Sequence, residues 1–290
     1  MNRIGESELI INKDGSIFHL HLKPENIADN IILVGDQGRV EMVSKYFDKI
    51  EFKVQNREFK THTGIYKGKR VSVLSTGIGT DNIDIVVNEL DALVNIDLEK
   101  RISKEEHKTL NLIRIGTSGA LQEDIPVDTP VISETSIGFD GLINFYAGRD
   151  KLMNKELENA FIKFTGWDKR LTTPYFVDSS KSLTDKIGKG MIKGMTISAP
   201  GFYGPQGREL RLKVLDPELN KKITNFQFNG RKITNFEMES SAIAGLSKLL
   251  GHNALTVCII IANRIREEYS QNYKVGVDIL INTVLDRLTS

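Results

Sequence analysis

Residues 30–39 read NIILVGDQGR, and how that stretch is taken decides the fold class. Ile31, Ile32, Leu33 and Val34 follow one another with no polar residue between them. A strand built from them carries apolar side chains on both faces and must be covered on both. Gly35, Asp36 and Gly38 then break the extended run, after which Val40, Val43 and Phe47 recur close to the 3.6-residue period of a helix. Strand, glycine-rich turn and helix in that order is the grammar of an α/β fold.

The same pattern returns along the chain. RVSVLSTG (70–77), NLIRIGT (111–117), TPVISET (129–135) and LTVCIII (255–261) are further continuous apolar runs. Ile83, Val86, Val87, Leu90 and Leu93 share one helical face, with Asp81 or Asn82 expected as its cap. A helix from about Glu239 carries Ala242, Leu246, Leu249 and Leu250 and is expected to end at Gly251. The last helix places Val277, Leu280, Ile281, Val284 and Leu288 together. The expectation is α/β with a mainly parallel or mixed sheet, and a site where strand ends meet glycine-rich loops.

Two segments break the rhythm. NIDLEKRISKEEHKT (95–109) reads as a solvated insertion between core elements. In 220–236 the pentapeptide KITNF occurs twice, at 222–226 and 232–236, around Asn229-Gly230, which reads as a small hairpin.

Composition excludes several function classes. With 39 basic against 38 acidic residues there is no field to attract nucleic acid or an anionic membrane, so any anion site must be local. The one cysteine, Cys258, cannot form a disulfide within the chain, and it lies in an apolar run, as a core residue would. No apolar stretch has the length of a signal peptide's core or of a membrane span, which leads us to expect a cytoplasmic protein without membrane or nucleic-acid partners.

Four motifs carry chemistry. GDQGR (35–39) sets backbone amides at a strand–helix junction, with the planar Arg39 fork two residues beyond Gln37. Taken alone, Arg39 reads more readily as a surface residue. RIGTSGA (114–120) puts Arg114 inside an apolar run, where it needs an anion or a structural carboxylate. FYGPQGRE (202–209) places Gln206 and Arg208 two residues apart; in extended geometry both address one edge of a planar heterocycle while Phe202 covers its face, although a solvated turn is the plainer reading. NFEMESSA (235–242) sets Glu237 and Glu239 at a helix start, where acids also serve simply as dipole partners. His19, His21, His62, His107 and His252 have no tight metal-ligand spacing beyond His19 and His21, so no metal is expected.

Taken together and in order, FHL (18–20), GDQGR, REF (57–59), STGIG (75–79), RIGTSGA, FYGPQGR, FEMES and IIANR (260–264) resemble the uridine phosphorylase branch of the nucleoside phosphorylase family. The resemblance covers most of the chain. It implies one domain over 1–290, a three-layer α/β/α arrangement with a central mixed sheet, and insertions near 95–109 and 220–236. It further implies phosphorolysis of uridine, with inorganic phosphate as co-substrate and no cofactor.

By that resemblance Gly35, Arg39, Arg114 and Thr117 hold phosphate, with Arg57 reaching over from a neighbouring subunit. Ribose lies on Met238; Glu239 accepts from its hydroxyls, and His19 of the neighbour meets the 5′ hydroxyl. Gly119, Phe202, Gln206 and Arg208 surround uracil. The resemblance thus makes Arg208, Gln206, Glu239 and Arg114 catalytic and requires at least a homodimer with shared sites.

This sequence departs from the pattern at Gln37, where relatives carry proline, and in the Gly-Pro order before Gln206. Some relatives bind potassium through a glutamate matching Glu58 and a serine whose place Asn82 takes here. Purine phosphorylases of the family carry an aspartate after the last strand, where this chain reads Asn263-Arg264. A purine phosphorylase, a hydrolytic nucleosidase and a non-catalytic nucleoside binder are the alternatives.

Overall fold

The structure, a computed structural model, describes residues 3–290. The opening stretch forms β1 (Asn30–Val34) and turns through Gly35 into α1 (Gln37–Ser44). Asp36 caps that helix, its carboxylate accepting from the Arg39 backbone N–H at 2.9 Å. An antiparallel meander follows, β2 (Lys49–Asn56), β3 (Phe59–Tyr66) and β4 (Lys69–Ser75), and β4 returns parallel to β1.

The next helix, α2 (Thr80–Asn95), buries Ile83, Val86, Val87, Leu90 and Leu93, the face expected from their spacing. Removing those five side chains from water contributes on the order of 10 kcal/mol before chain entropy is subtracted. Its N-cap is Gly79, not Asp81 or Asn82. The chain turns there at φ +95°, which a side chain would oppose, so the helix starts at the glycine and both polar candidates fall inside its first turn.

Residues 96–103 form a small hairpin, β5 (Ile96–Asp97) with β6 (Ile102–Ser103), and 103–109 are exposed, in keeping with their charge. The central strands β7 (Asn111–Ala120) and β8 (Pro130–Gly138) come next, then α3 (Arg149–Leu152), α4 (Lys155–Thr165), β9 (Tyr175–Asp178), α5 (Lys181–Ile187) and β10 (Ile192–Ser198). The chain ends with α6 (Leu219–Asn225), β11 (Gln227–Phe228), β12 (Arg231–Glu237), α7 (Ser240–Leu249), β13 (Asn253–Asn263), β14 (Glu268–Tyr269) and α8 (Tyr273–Thr289). As expected, α7 stops before Gly251, which adopts φ +77°. The His252 N–H then reaches the Ser247 carbonyl at 2.7 Å and closes the helix end.

The sheet runs β11-β12-β10-β8-β13-β7-β1-β4-β3-β2 and is mixed. β4, β1, β7 and β13 lie parallel, as do β8, β10 and β12, and the two blocks meet antiparallel at β13 and β8. The end of β12 also pairs with β7 through Asn235 and Ala120, so five strands close on themselves at one end of the sheet. Ile31 and Leu33 point into one core with α2 and α7; Ile32 and Val34 point into the other with α1 and α8. That alternation makes three layers, α/β/α, from one apolar run. Among the described residues no helix is long and apolar enough to cross a membrane.

The KITNF pair is corrected. Asn229-Gly230 does turn a hairpin, but only between the two-residue β11 and β12. The first copy is the end of helix α6 and the second is strand. Both copies bury their isoleucine and phenylalanine in one cluster. In the helix Ile223 and Phe226 are three apart and share a face. In β12 a bulge at Thr234 shifts the alternation, which brings Ile233 and Phe236 to the same side.

Candidate active site

Strand β1, the parallel strands β4, β7 and β13, and β12 all end at the same edge of the sheet. The loops there enclose a cavity of about 280 Å³. It is lined by Gly35, Arg39, Arg114, Thr117, Gly119, Phe202, Gln206, Arg208, Met238 and Glu239, every residue given a substrate role above except His19 and Arg57. Those two lie elsewhere: Arg57 is exposed at the tip of the β2–β3 hairpin, and His19 sits on the segment before β1. A larger apolar cavity of about 460 Å³, walled by Phe139, Trp167 and Leu215, lies behind the 204–207 loop and holds none of the four motifs' charged groups.

Arg114 is 5 % exposed and meets two carboxylates. Its Nη2 donates to Glu239 Oε2, and Glu237 Oε2 lies 3.6 Å from Nη1. Burial works against the guanidinium charge, but Glu239 and then Glu237 more than offset it, and Arg114 ends above its ordinary value. Burial and the neighbouring Glu237 charge raise Glu239, against the pull of Arg114. Two carboxylates on one buried cation leave a charge excess at the centre of the site. Arg39 is 13 % exposed, paired with Asp36 at 3.3 Å and lowered chiefly by burial.

Glu237, left undecided by its position at a helix start, has a defined place. Its carboxylate accepts from the Glu239 N–H (3.0 Å), the Ser240 N–H (2.9 Å), Ser240 Oγ (2.7 Å) and Ser198 Oγ (2.6 Å). It therefore satisfies the first amides of α7 and sets the backbone from which Glu239 projects. Glu239 in turn accepts from the Gly79 N–H at 2.8 Å, which ties it to the start of α2. Cys258 is core, as expected, but its sulfur packs 3.7 Å from Arg114 Nη1 and burial pushes the thiol up to about 12.

The base-binding loop differs from the extended geometry expected. Gly204–Gln206 is a 3-10 turn and Gly207 is left-handed at φ +70°. The turn still converges the two side chains: Arg208 Nη1 donates to Gln206 Oε1 at 2.6 Å and to the Phe202 carbonyl at 2.7 Å. That contact orients the Gln206 amide with its NH2 free. One face of Phe202 carries the Arg208 guanidinium, 3.9 Å from the ring centre.

Sequence reasoning missed Arg264. Its guanidinium donates to the Gln206 carbonyl and lies beside Arg208, and burial followed by that like charge lowers it. Position 263 carries no proton donor for a base: Asn263 is buried, its amide holding the Gln122 and Ile125 carbonyls and the Ile265 and Arg266 N–H groups. The IIANR stretch contains Arg264, but only the remote partner Gln206 gives it a role.

The histidines converge once, away from the cavity. Asp91, His107 and His252 bring ligand atoms within 4.8 Å of one another. His252 Nδ1 accepts from the Leu110 N–H, so its proton sits on Nε2, 3.1 Å from Asp91. That tautomer offers no lone pair to a cation, and His107 Nε2 is taken by the Leu250 carbonyl at 2.8 Å. Glu58 and Asn82 both lie beside Gly77.

Comparison with known proteins agrees with this geometry. The chain is 29% identical over 265 residues to a uridine phosphorylase of Thermococcus kodakarensis, covering 89% of this chain and 82% of that protein. It is 30% identical to a DeoD-type purine nucleoside phosphorylase of Clostridium perfringens, covering 83% and 85%. Its structure superposes with a TM-score of 0.88 at 31% identity on a Trypanosoma brucei nucleoside phosphorylase described as having uridine phosphorylase activity, covering 97% of this chain and 99% of that one. Residues 29–284 match the Phosphorylase superfamily, and it is to this family of nucleoside-cleaving pentosyltransferases that the chain belongs.

Proposed function

We propose that the chain catalyses the reversible phosphorolysis of uridine to uracil and ribose 1-phosphate, with phosphate as co-substrate. The observation that carries this reading is one cavity holding the buried Arg114, the part-buried Arg39, a glutamate at a helix start and the joined Gln206–Arg208 pair. In the proposed roles Gly35, Arg39, Arg114 and Thr117 seat phosphate, Met238 underlies the ribose, and Glu239 accepts from its 2′ and 3′ hydroxyls. Gln206 and Arg208 bind the polar edge of uracil, with Gly119 and Phe202 alongside.

As the glycosidic bond stretches, C1′ gains positive character and the pyrimidine gathers negative charge. Arg208, partly buried, stabilises that charge where the dielectric is low. Phosphate attacks from the opposite face, positioned by arginines that are not consumed. The bond broken is C1′–N1 and the bond formed is C1′–O to phosphate; no covalent enzyme intermediate is needed.

His19 and Arg57 lie off the cavity of their own chain, which supports their service in a partner's site and hence at least a homodimer. The shared sheet from β1 to β13 supports one domain, and a single buried thiol suits a cytoplasmic enzyme of pyrimidine salvage. A purine reading is the competitor, because purine phosphorylases are among the relatives. Asn263, fully engaged with backbone, speaks against it.

The test is a substrate panel of uridine, inosine and adenosine with and without phosphate. Uracil released only with phosphate is expected. Phosphate-independent release, or preference for a purine, would refute the proposal.

A further inference from the structure

His19 is held by a carboxylate with no place in the roles above. Glu89, on α2, accepts from the His19 N–H at 3.0 Å, the Leu20 N–H at 2.9 Å and His19 Nδ1 at 2.6 Å. Its side chain is 13 % exposed, so these bonds form largely away from water. Both backbone partners are donors, and a carboxylate that accepts from them places the imidazole proton on Nδ1 as well. In the neutral ring Nε2 is then the nitrogen with no hydrogen-bond partner among the described residues, and its lone pair is free.

The ring is also fixed in orientation. It packs edge-on against Phe18, 4.7 Å between centroids, and against the buried Phe59 at 6.5 Å. Asn56 Nδ2 donates to the His19 carbonyl at 2.8 Å, which ties the histidine to the hairpin whose tip carries Arg57. The tip is held from the other side, where Gln37 Nε2 donates to the Arg57 carbonyl at 2.5 Å. Glu89, His19, Asn56 and Arg57 thus form one braced arm.

We infer that Glu89 is the positioning residue that sets selectivity at the nucleoside 5′ carbon, by presenting His19 Nε2 as an acceptor for the proton of a 5′ hydroxyl. This rests on the proposed reading that His19 enters a partner's site. The substrate class that follows is nucleosides with a free 5′ hydroxyl. Nucleosides lacking that proton, whether 5′-deoxy or 5′-O-methyl, lose about fivefold in kcat/KM, the worth of one net hydrogen bond.

The experiment compares uridine with 5′-deoxyuridine and 5′-O-methyluridine in the full-length enzyme and in His19→Ala, Glu89→Gln and Glu89→Ala. Glu89→Gln keeps an oxygen for the backbone amides if the alanine variant folds poorly. The expected result is a wild-type preference for uridine that collapses towards unity in all three variants, with the phosphate KM unchanged. Because Arg57 belongs to the same arm, a merely structural role for Glu89 would raise the phosphate KM together with the loss of preference, and that result overturns the inference. Collapse in His19→Ala with full preference kept in both Glu89 variants also overturns it, while leaving the reading of His19 intact. A wild-type enzyme indifferent to the 5′ group refutes both.

Discussion

Replacing Glu237 by glutamine removes one charge from the site and almost no volume. The two carboxylate oxygens accept from two α7 amides and two serine hydroxyls, and one lies 3.6 Å from Arg114. The least costly glutamine rotamer keeps its oxygen on the Glu239 and Ser240 amides and turns its NH2 towards Ser198 and Ser240, whose hydroxyls can rotate to accept. What is lost is then the charge on four hydrogen bonds, each weakened by up to about 1 kcal/mol, together with part of the attraction to Arg114, and relief of the repulsion from Glu239 offsets part of this. The sum is about 2–3 kcal/mol.

Glu237→Ala goes further. It strands both amides and leaves Arg114 with Glu239 alone, at a cost of about 3–5 kcal/mol. Urea denaturation with shared m-values measures both, and the glutamine variant should also melt about 5 °C lower. A Glu237→Gln enzyme within about 0.5 kcal/mol of wild type would refute the account of Glu237 as the organiser of this helix start.

Three further outcomes follow from the site. Arg208→Ala should lower kcat by about a hundredfold to a thousandfold with little change in phosphate KM, whereas Arg114→Ala should chiefly raise the phosphate KM; steady-state kinetics with equal effects on phosphate KM would contradict the roles. Burial raises Glu239, so the acid limb of kcat/KM for uridine should lie above the ordinary glutamate value and vanish in Glu239→Gln. The linked stability has a definite sign: a folded-state value above the unfolded one means this carboxyl weakens the fold as pH rises between the two, a slope that denaturation of Glu239→Gln should lack. Finally, a Cβ on Gly116 would collide with Arg114 Nη1 and approach Cys258 Sγ to 2.9 Å, so Gly116→Ala should cost about 1–3 kcal/mol and weaken phosphate binding together, where wild-type values for both would count against the packing described.

What could be read in the sequence was what local periodicity encodes. The runs at Ile31 and Leu112 had to be doubly covered strands, and the face from Ile83 to Leu93 had to be a buried helix. β2 escaped notice because its side chains alternate between exposed and half-buried, with no fully buried position to mark a face. The pentapeptide KITNF, helix once and strand once, marks the limit of local propensity, since burial of Ile and Phe decides both times.

The site divides the same way. Residues on glycine-flanked strand ends announced themselves by motif. Glu89 and Arg264 act through partners 70 and 58 residues distant in sequence, which only folding brings together. Gln37, which breaks the proline pattern, finds its use in the Arg57 carbonyl, a contact invisible until the hairpin is placed.

Arg114 and Glu239 hold each other. With the roles proposed above, one belongs to phosphate and the other to ribose, so a first substrate that parts them bears the whole cost. The second finds its own partner already released. By thermodynamic reciprocity each substrate then tightens the binding of the other, and the enzyme prefers both occupants or neither. Calorimetric titration of phosphate with and without a non-reacting nucleoside analogue measures that linkage, and equal affinities would show the pair to be no barrier. A buried ion pair of this kind is a latch with two keys, and its strength sets how rarely the site stands half filled.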